Sequence, residues 1–156
     1  MRTLFVIILL AFNLYASDTQ QNLLDSIAEY SIRIGEGSVS REYVFVDPLC
    51  PHSKKYVQMI LEDKDLQKEN SYFIFLYRLP KYDSDLLIQY IQQSRDAKVA
   101  LREILVDEKE MDDALFDFEV TQETVKTINK IAVVAQKLKV DRRPQMFTFY
   151  DKVSSN

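Results

Sequence analysis

One cysteine and one histidine occur in the 156 residues. They stand two positions apart, in the run Asp47-Pro48-Leu49-Cys50-Pro51-His52-Ser53. The chemistry open to a cysteine is that of its thiolate, the form that attacks disulfides and other electrophiles. Pro51 suits the first turn of a helix, where a missing amide donor costs nothing, so Cys50 is predicted to open one. The orphan amides and the dipole of a helix start favour negative charge at that spot. His52, Lys54 and Lys55 add positive charge nearby. A single buried thiol would be an inert small hydrophobe. Here the thiol sits beside the sole histidine, on a turn between an apolar run and a helix, and that pairing points to a nucleophile. Ser53 holds the place where the second thiol of a Cys-x-x-Cys pair would stand.

Two other uses of these residues are disfavoured. In a cysteine protease the histidine comes from a distant segment and is oriented by an Asn or Asp. His52 is too close to Cys50 on one helical turn for that role. One Cys and one His supply two metal ligands at most, so neither a metal nor another cofactor is expected.

The elements that must position Cys50 are legible from spacing. Glu42 to Asp47 reads as a strand apolar on both faces, as a buried strand is. Pro51 to Lys68 reads as a helix, with Tyr56, Val57, Ile60 and Leu61 on one face. Ser71 to Leu79 is a second buried strand, so the front half is a right-handed βαβ unit with parallel strands. Ahead of it, Leu23, Leu24, Ile27, Tyr30 and Ile34 predict a helix over Gln20 to Ile34, ended by Gly35-Glu36-Gly37. Behind it, helices are predicted over Ser84 to Leu105 and Thr121 to Lys139, and a last strand over Gln145 to Tyr150. The acidic stretch Asp107 to Glu119 between those helices lacks the glycine and spacing of a calcium loop and reads as a solvated face or loop.

The ends and the composition set the compartment. Arg2, the apolar run Leu4 to Phe12 and the small pair Ala16-Ser17 read as a cleavable secretory signal over residues 1–16. That run is well short of the ~20 residues a spanning helix needs. The mature chain is therefore expected to work outside the cytoplasm. The remaining chain is one domain of ordinary size. A formal net charge of −4 gives no reason to expect nucleic acid as a partner. A single cysteine in an exported chain cannot form an internal disulfide, so it is buried, joined to another chain, or reactive.

At Phe45-Val46-Asp47-Pro48-Leu49-Cys50-Pro51 the chain resembles the thioredoxin-fold periplasmic disulfide proteins, above all the catalytic domain of the DsbC and DsbG isomerases. Ile34-Gly35-Glu36-Gly37 precedes the motif as in that family, and Cys50-Pro51-His52 matches the start of the DsbA-type active site. The resemblance covers roughly residues 34–151. It implies an α/β thioredoxin-like fold: a βαβ unit, a helical insertion at about 82–139, and a strand after a cis-proline. In this division residues 17–37 are an N-terminal helix and linker, and 38–156 the thioredoxin-like domain. The resemblance also implies that Pro144 is the cis-proline beside the active-site sulfur, and that Arg143 and Pro144 line a groove for an extended client.

The chain departs from the family at Ser53, which replaces the second cysteine, and at Arg143, where Thr or Val is usual. It is also expected to lack the closing strand and helix. Exchange of thiols and disulfides passes through a mixed disulfide. With Ser53 the chain cannot carry an internal disulfide, so it cannot act as a dithiol oxidase. The resemblance leaves single-thiol exchange: isomerisation or reduction of disulfide-bearing clients, with release by a client thiol, glutathione or a partner reductase. Two other readings stay open, a non-catalytic peptide-binding or client-trapping module and a subunit joined to another chain through Cys50. A homodimer formed through the Met146 to Tyr150 edge is a further expectation.

Overall fold

The computed structural model of the chain describes residues 19–108 and 118–150. The expected signal segment lies outside the described residues, as does most of the acidic stretch. A short helix α1 (19–25) and a 3-10 turn (Ala28–Tyr30) lead into strand β1 (Ile32–Ile34) and then β2 (Ser40–Val46). Helices α2 (Pro51–Glu62) and α3 (Lys64–Glu69) cross to β3 (Asn70–Leu76). Helices α4 (Asp85–Gln93), α5 (Ala97–Leu105) and α6 (Gln122–Lys137) follow, and β4 (Gln145–Tyr150) is the last described strand.

The four strands form one sheet in the order β1-β3-β2-β4. β2 and β3 run parallel, in register from Ser40↔Asn70 to Val46↔Leu76, which is the expected βαβ unit. β1 joins β3 and β4 joins β2, both antiparallel.

Alternation along the central strands feeds two cores. Side chains of successive strand residues point to opposite faces. Val44, Val46, Ile74 and Leu76 therefore pack with α2, α4 and α5 through Val57, Ile60, Ile91, Leu101 and Ile104. Tyr43, Phe45, Phe73 and Phe75 face the other way, onto Leu24, Ile27, Ile131, Val134 and Ala135. Covering both faces explains why β2 and β3 read as unbroken apolar runs. The aromatic layer is closely stacked: the Tyr43 and Phe73 rings lie 4.7 Å apart and nearly parallel.

Three predicted helices differ from the observed elements. The N-terminal helix was expected to reach Ile34, yet the chain turns at Ser26 and Ile32–Ile34 is a strand. Tyr30 and Ile34 fall at helical spacing, but Ile32 and Ile34 are buried around an exposed Arg33, the period-2 pattern of an edge strand. The helix expected to run from Pro51 to Lys68 is interrupted at Asp63, whose carboxylate accepts the amides of Asp65 and Leu66. The helix expected over Ser84 to Leu105 is interrupted in the same way at Asp96, which accepts the amides of Lys98 and Val99. Aspartate is a strong N-cap because its side chain satisfies amides left unpaired at a helix start. In both places it restarts the helix in a new direction.

Candidate functional site

Cys50 is the N-cap residue of α2 and Pro51 is its first helical residue. The chain reaches it through a turn anchored by Asp47, which is fully buried at the exit of β2. One carboxylate oxygen of Asp47 accepts the Leu49 amide at 2.8 Å. The other accepts the Leu79 amide at 2.5 Å and the Ser84 hydroxyl at 3.1 Å. Hydrogen bonds to a charged group contribute about 1.5–3 kcal/mol each, so three of them offset much of the cost of burying the carboxylate. Asp47 thereby ties the cysteine turn to the segment after β3 and to the start of α4. Its backbone amide in turn donates to Oγ of Ser53 at 3.2 Å. Ser53 is fully buried. Its hydroxyl secures the same turn from within the helix, a structural role that spacing alone did not reveal. Asp47 and Ser84 were not singled out as site residues either. The available signal was an acidic residue closing an otherwise apolar strand.

The thiol itself is 3% exposed and free. Its Sγ donates to the backbone carbonyl of Arg143 at 3.5 Å. This contact joins the helix start to the segment before β4, where the Arg143–Pro144 peptide bond is cis. Cys50, Pro51 and His52 line one side of an open groove of about 520 Å³. Leu79, Pro80, Lys81 and Tyr82 form another wall, and Asp141, Arg142 and Arg143 close it. The sequence-predicted residues thus gather from two segments nearly a hundred residues apart. Pro144, half-buried, and Ser53, fully buried, are not among the residues that line it.

The basic side chains divide into two kinds. His52 and Arg142 are exposed on the rim. Arg143, expected to line the client groove, turns its guanidinium inward and is 6% exposed. Nε donates to the Tyr77 carbonyl at 2.7 Å, and the terminal nitrogens donate to the carbonyls of Arg142 and Arg78. The guanidinium stacks 4.3 Å from the centre of the Tyr77 ring. Burial pulls Arg143 below the usual arginine value, opposed by Tyr77, Asp47, Cys50 and Asp141. An arginine stays charged through such a shift. Its side chain therefore braces the groove floor, while its carbonyl is what meets the sulfur. Lys54, expected to act on the thiol, is engaged by Glu108 at 3.0 Å.

No protein-family model matches the chain, and no curated protein matches it. Solved structures do. The catalytic domain of Proteus mirabilis ScsC superposes with a TM-score of 0.65 at 18% identity, covering 86% of this chain and 85% of that one. A periplasmic thioredoxin-like protein from Salmonella enterica serovar Typhimurium gives 0.65 at 17%, over 81% and 84%. A disulfide interchange protein from Neisseria gonorrhoeae gives 0.58 at 14%, over 81% and 90%. The four-stranded sheet, the parallel β2–α2–β3 crossover and these superpositions agree that the chain has a thioredoxin-like fold.

Proposed function

We propose that the chain is a periplasmic single-thiol protein of thiol–disulfide exchange, with Cys50 as its nucleophile. The observation that carries this reading is the position of the chain's only thiol. It stands at the start of α2, against the Arg143 carbonyl, on the wall of a groove. The solved structures that share the fold include a disulfide interchange protein and a putative protein-disulfide isomerase, which supports the same role here.

The chemistry balances without a second cysteine in the chain. The Cys50 thiolate attacks one sulfur of a client disulfide, a new S–S bond forms to Cys50, and the other client sulfur leaves as a thiolate. A second client thiolate then attacks the mixed disulfide and regenerates Cys50, which is isomerisation with no net redox change. If glutathione or a partner reductase supplies the releasing thiol, the client is reduced and the thiol donor oxidised. The resemblance to the DsbC and DsbG type favours isomerisation. Within the chain, the helix start holds the thiol at the groove wall, the groove accepts an extended client segment, and Arg143 closes it beside the sulfur. Rim cations Lys81 and Arg142 suit an anionic client or glutathione.

The client-trapping reading draws on a separate observation. A thiol only 3% exposed and bonded to a carbonyl is reached by a small releasing thiol with difficulty once a client covers the groove. Slow release would then hold the client on Cys50. Refolding of a scrambled multi-disulfide substrate in glutathione buffer separates the two. The enzymatic reading expects faster recovery of native substrate with the protein than with its Cys50→Ala variant. Equal rates, with a mixed disulfide accumulating on Cys50, would instead establish the trap.

A further inference from the structure

At the end of the sheet away from Cys50, an open cleft of about 920 Å³ lies along the β1 edge. We propose that it is a binding site for a small oligophosphate anion.

Its walls bring together Arg33 of β1, Lys64 and Lys68 of α3, and Lys98 of α5, with Glu36 as the one carboxylate among the lining residues. This is a local excess of cations in a chain of formal net charge −4. Lys64 and Lys68 are one turn apart, so their Cβ atoms are roughly 5–6 Å from each other, and like charges at that spacing oppose helix formation. α3 has only six residues to bear that repulsion. An anion between the two ammonium groups would reverse its sign.

The partners these cations have now are weak. Lys68 meets Asp65 at 3.1 Å, but the two side chains are 76% and 86% exposed, and such pairs hold loosely in water. Among the described residues, Lys64 reaches only the amide oxygen of Gln67, at 3.4 Å. The Arg33 guanidinium lies 4.6 Å from the centre of the Phe73 ring and has no carboxylate partner among the described residues. The Lys98 ammonium has no partner among them either.

The cleft is preformed. Glu36 and Val39 donate their amides to the carbonyls of Gln67 and Glu69 at 3.0 and 2.8 Å, clamping the loop after β1 onto α3. Gly35 adopts φ +76°, and a Cβ there would lie 2.4 Å from the Asn70 carbonyl oxygen. The Gln67 side chain donates to the carbonyls of Ile60 and Leu61, fixing α3 to the end of α2. A rigid frame lowers the ordering cost of binding.

The lining chemistry selects the ligand. Arginine offers a planar fork matched to phosphate, and lysine a compact charge for the same group. Four cations from three elements exceed what one phosphate needs. The residues lining the cleft are charged or polar apart from Gly35, so charge is what it offers a ligand.

Calorimetric titration of the full chain with tripolyphosphate at low salt tests the site. The expected result is one saturable site, weakened by added salt, with orthophosphate binding less tightly. Lys64→Ala/Lys68→Ala and Arg33→Ala/Lys98→Ala should each lose about tenfold or more in affinity while keeping the wild-type circular dichroism. Absence of saturable binding, or wild-type affinity in either double variant, would overturn the proposal. Binding to anionic-lipid vesicles that tripolyphosphate does not displace would overturn it too, assigning the cations to a membrane surface. Cys50 exchange is measured separately, so failure at this cleft leaves the thiol reading untouched.

Discussion

Around Cys50 the chain places all four of its prolines, Pro48, Pro51, Pro80 and Pro144, and at the other end of the sheet it places both of its glycines, Gly35 and Gly37. The two ends of β2 are only ~20 Å apart by strand rise, yet they solve opposite problems. Proline fixes φ and removes a donor, which suits turns that must hold a thiol against a carbonyl. Glycine lets two backbones touch, which suits a loop packed on the α3–β3 junction. At the thiol end the shape is carried by side-chain hydrogen bonds to one buried carboxylate, Asp47. At the glycine end it is carried by backbone contact. The two ends should therefore fail differently when altered.

The largest stability loss is expected at the glycine end. A Cβ on Gly37 would lie 1.9 Å from the Glu69 carbonyl carbon, a clash with backbone that cannot move aside. Gly37→Ala should cost about 3 kcal/mol or more in urea unfolding. The alkylation rate of Cys50 in the folded fraction should stay at the wild-type value. A parallel loss of thiol reactivity would show that the two ends are coupled.

Asp47→Ala comes next, leaving the Leu49 and Leu79 amides and the Ser84 hydroxyl without their acceptor. It should lower stability by about 2–3 kcal/mol and, unlike the glycine variant, should also change the reactivity of Cys50, because the turn it anchors carries the thiol. Ser53→Ala removes the acceptor of the Asp47 amide alone. A loss of about 1–2 kcal/mol is expected, with exchange activity retained, since Ser53 is not among the residues that line the groove. Lost activity with unchanged stability would give Ser53 a chemical role instead.

The smallest effect should come from Asp96→Ala, which removes an exposed helix cap. Loss of such a cap costs about 1 kcal/mol. Cys50 alkylation should not respond, whereas tripolyphosphate binding should shift slightly, because the cap holds the amide of Lys98, which lines the anion cleft. A response of Cys50 alkylation would tie the α4–α5 junction to the thiol end.

Where the sequence was informative follows from the same physics. β2, β3 and β4 were legible because their apolar runs and proline boundaries are local signals. The gathering of Cys50, His52 and Arg143 at one groove is not legible from spacing, since a contact between residues 50 and 143 leaves no periodic trace. β1 was hidden because three residues are too short to show alternation against a helical background. The restarts at Asp63 and Asp96 were hidden because the apolar period continues across them. Asp47 was legible as part of a motif, but its three partners come from segments 2, 32 and 37 residues away. The inward turn of Arg143 depends on carbonyls of residues 77 and 78, which no local pattern indicates.

The central claim is that the fold activates Cys50, and folded and unfolded chains compared side by side test it most directly. The native protein and the protein in denaturing urea would each be exposed to a small client disulfide, and the mixed disulfide on Cys50 followed by mass spectrometry. A thiol that is merely buried reacts more slowly in the native state, as its 3% exposure alone would dictate. The account predicts the reverse: adduct forms faster on native Cys50 than on the unfolded chain, and an added thiol releases it. Slower reaction in the native state would contradict it.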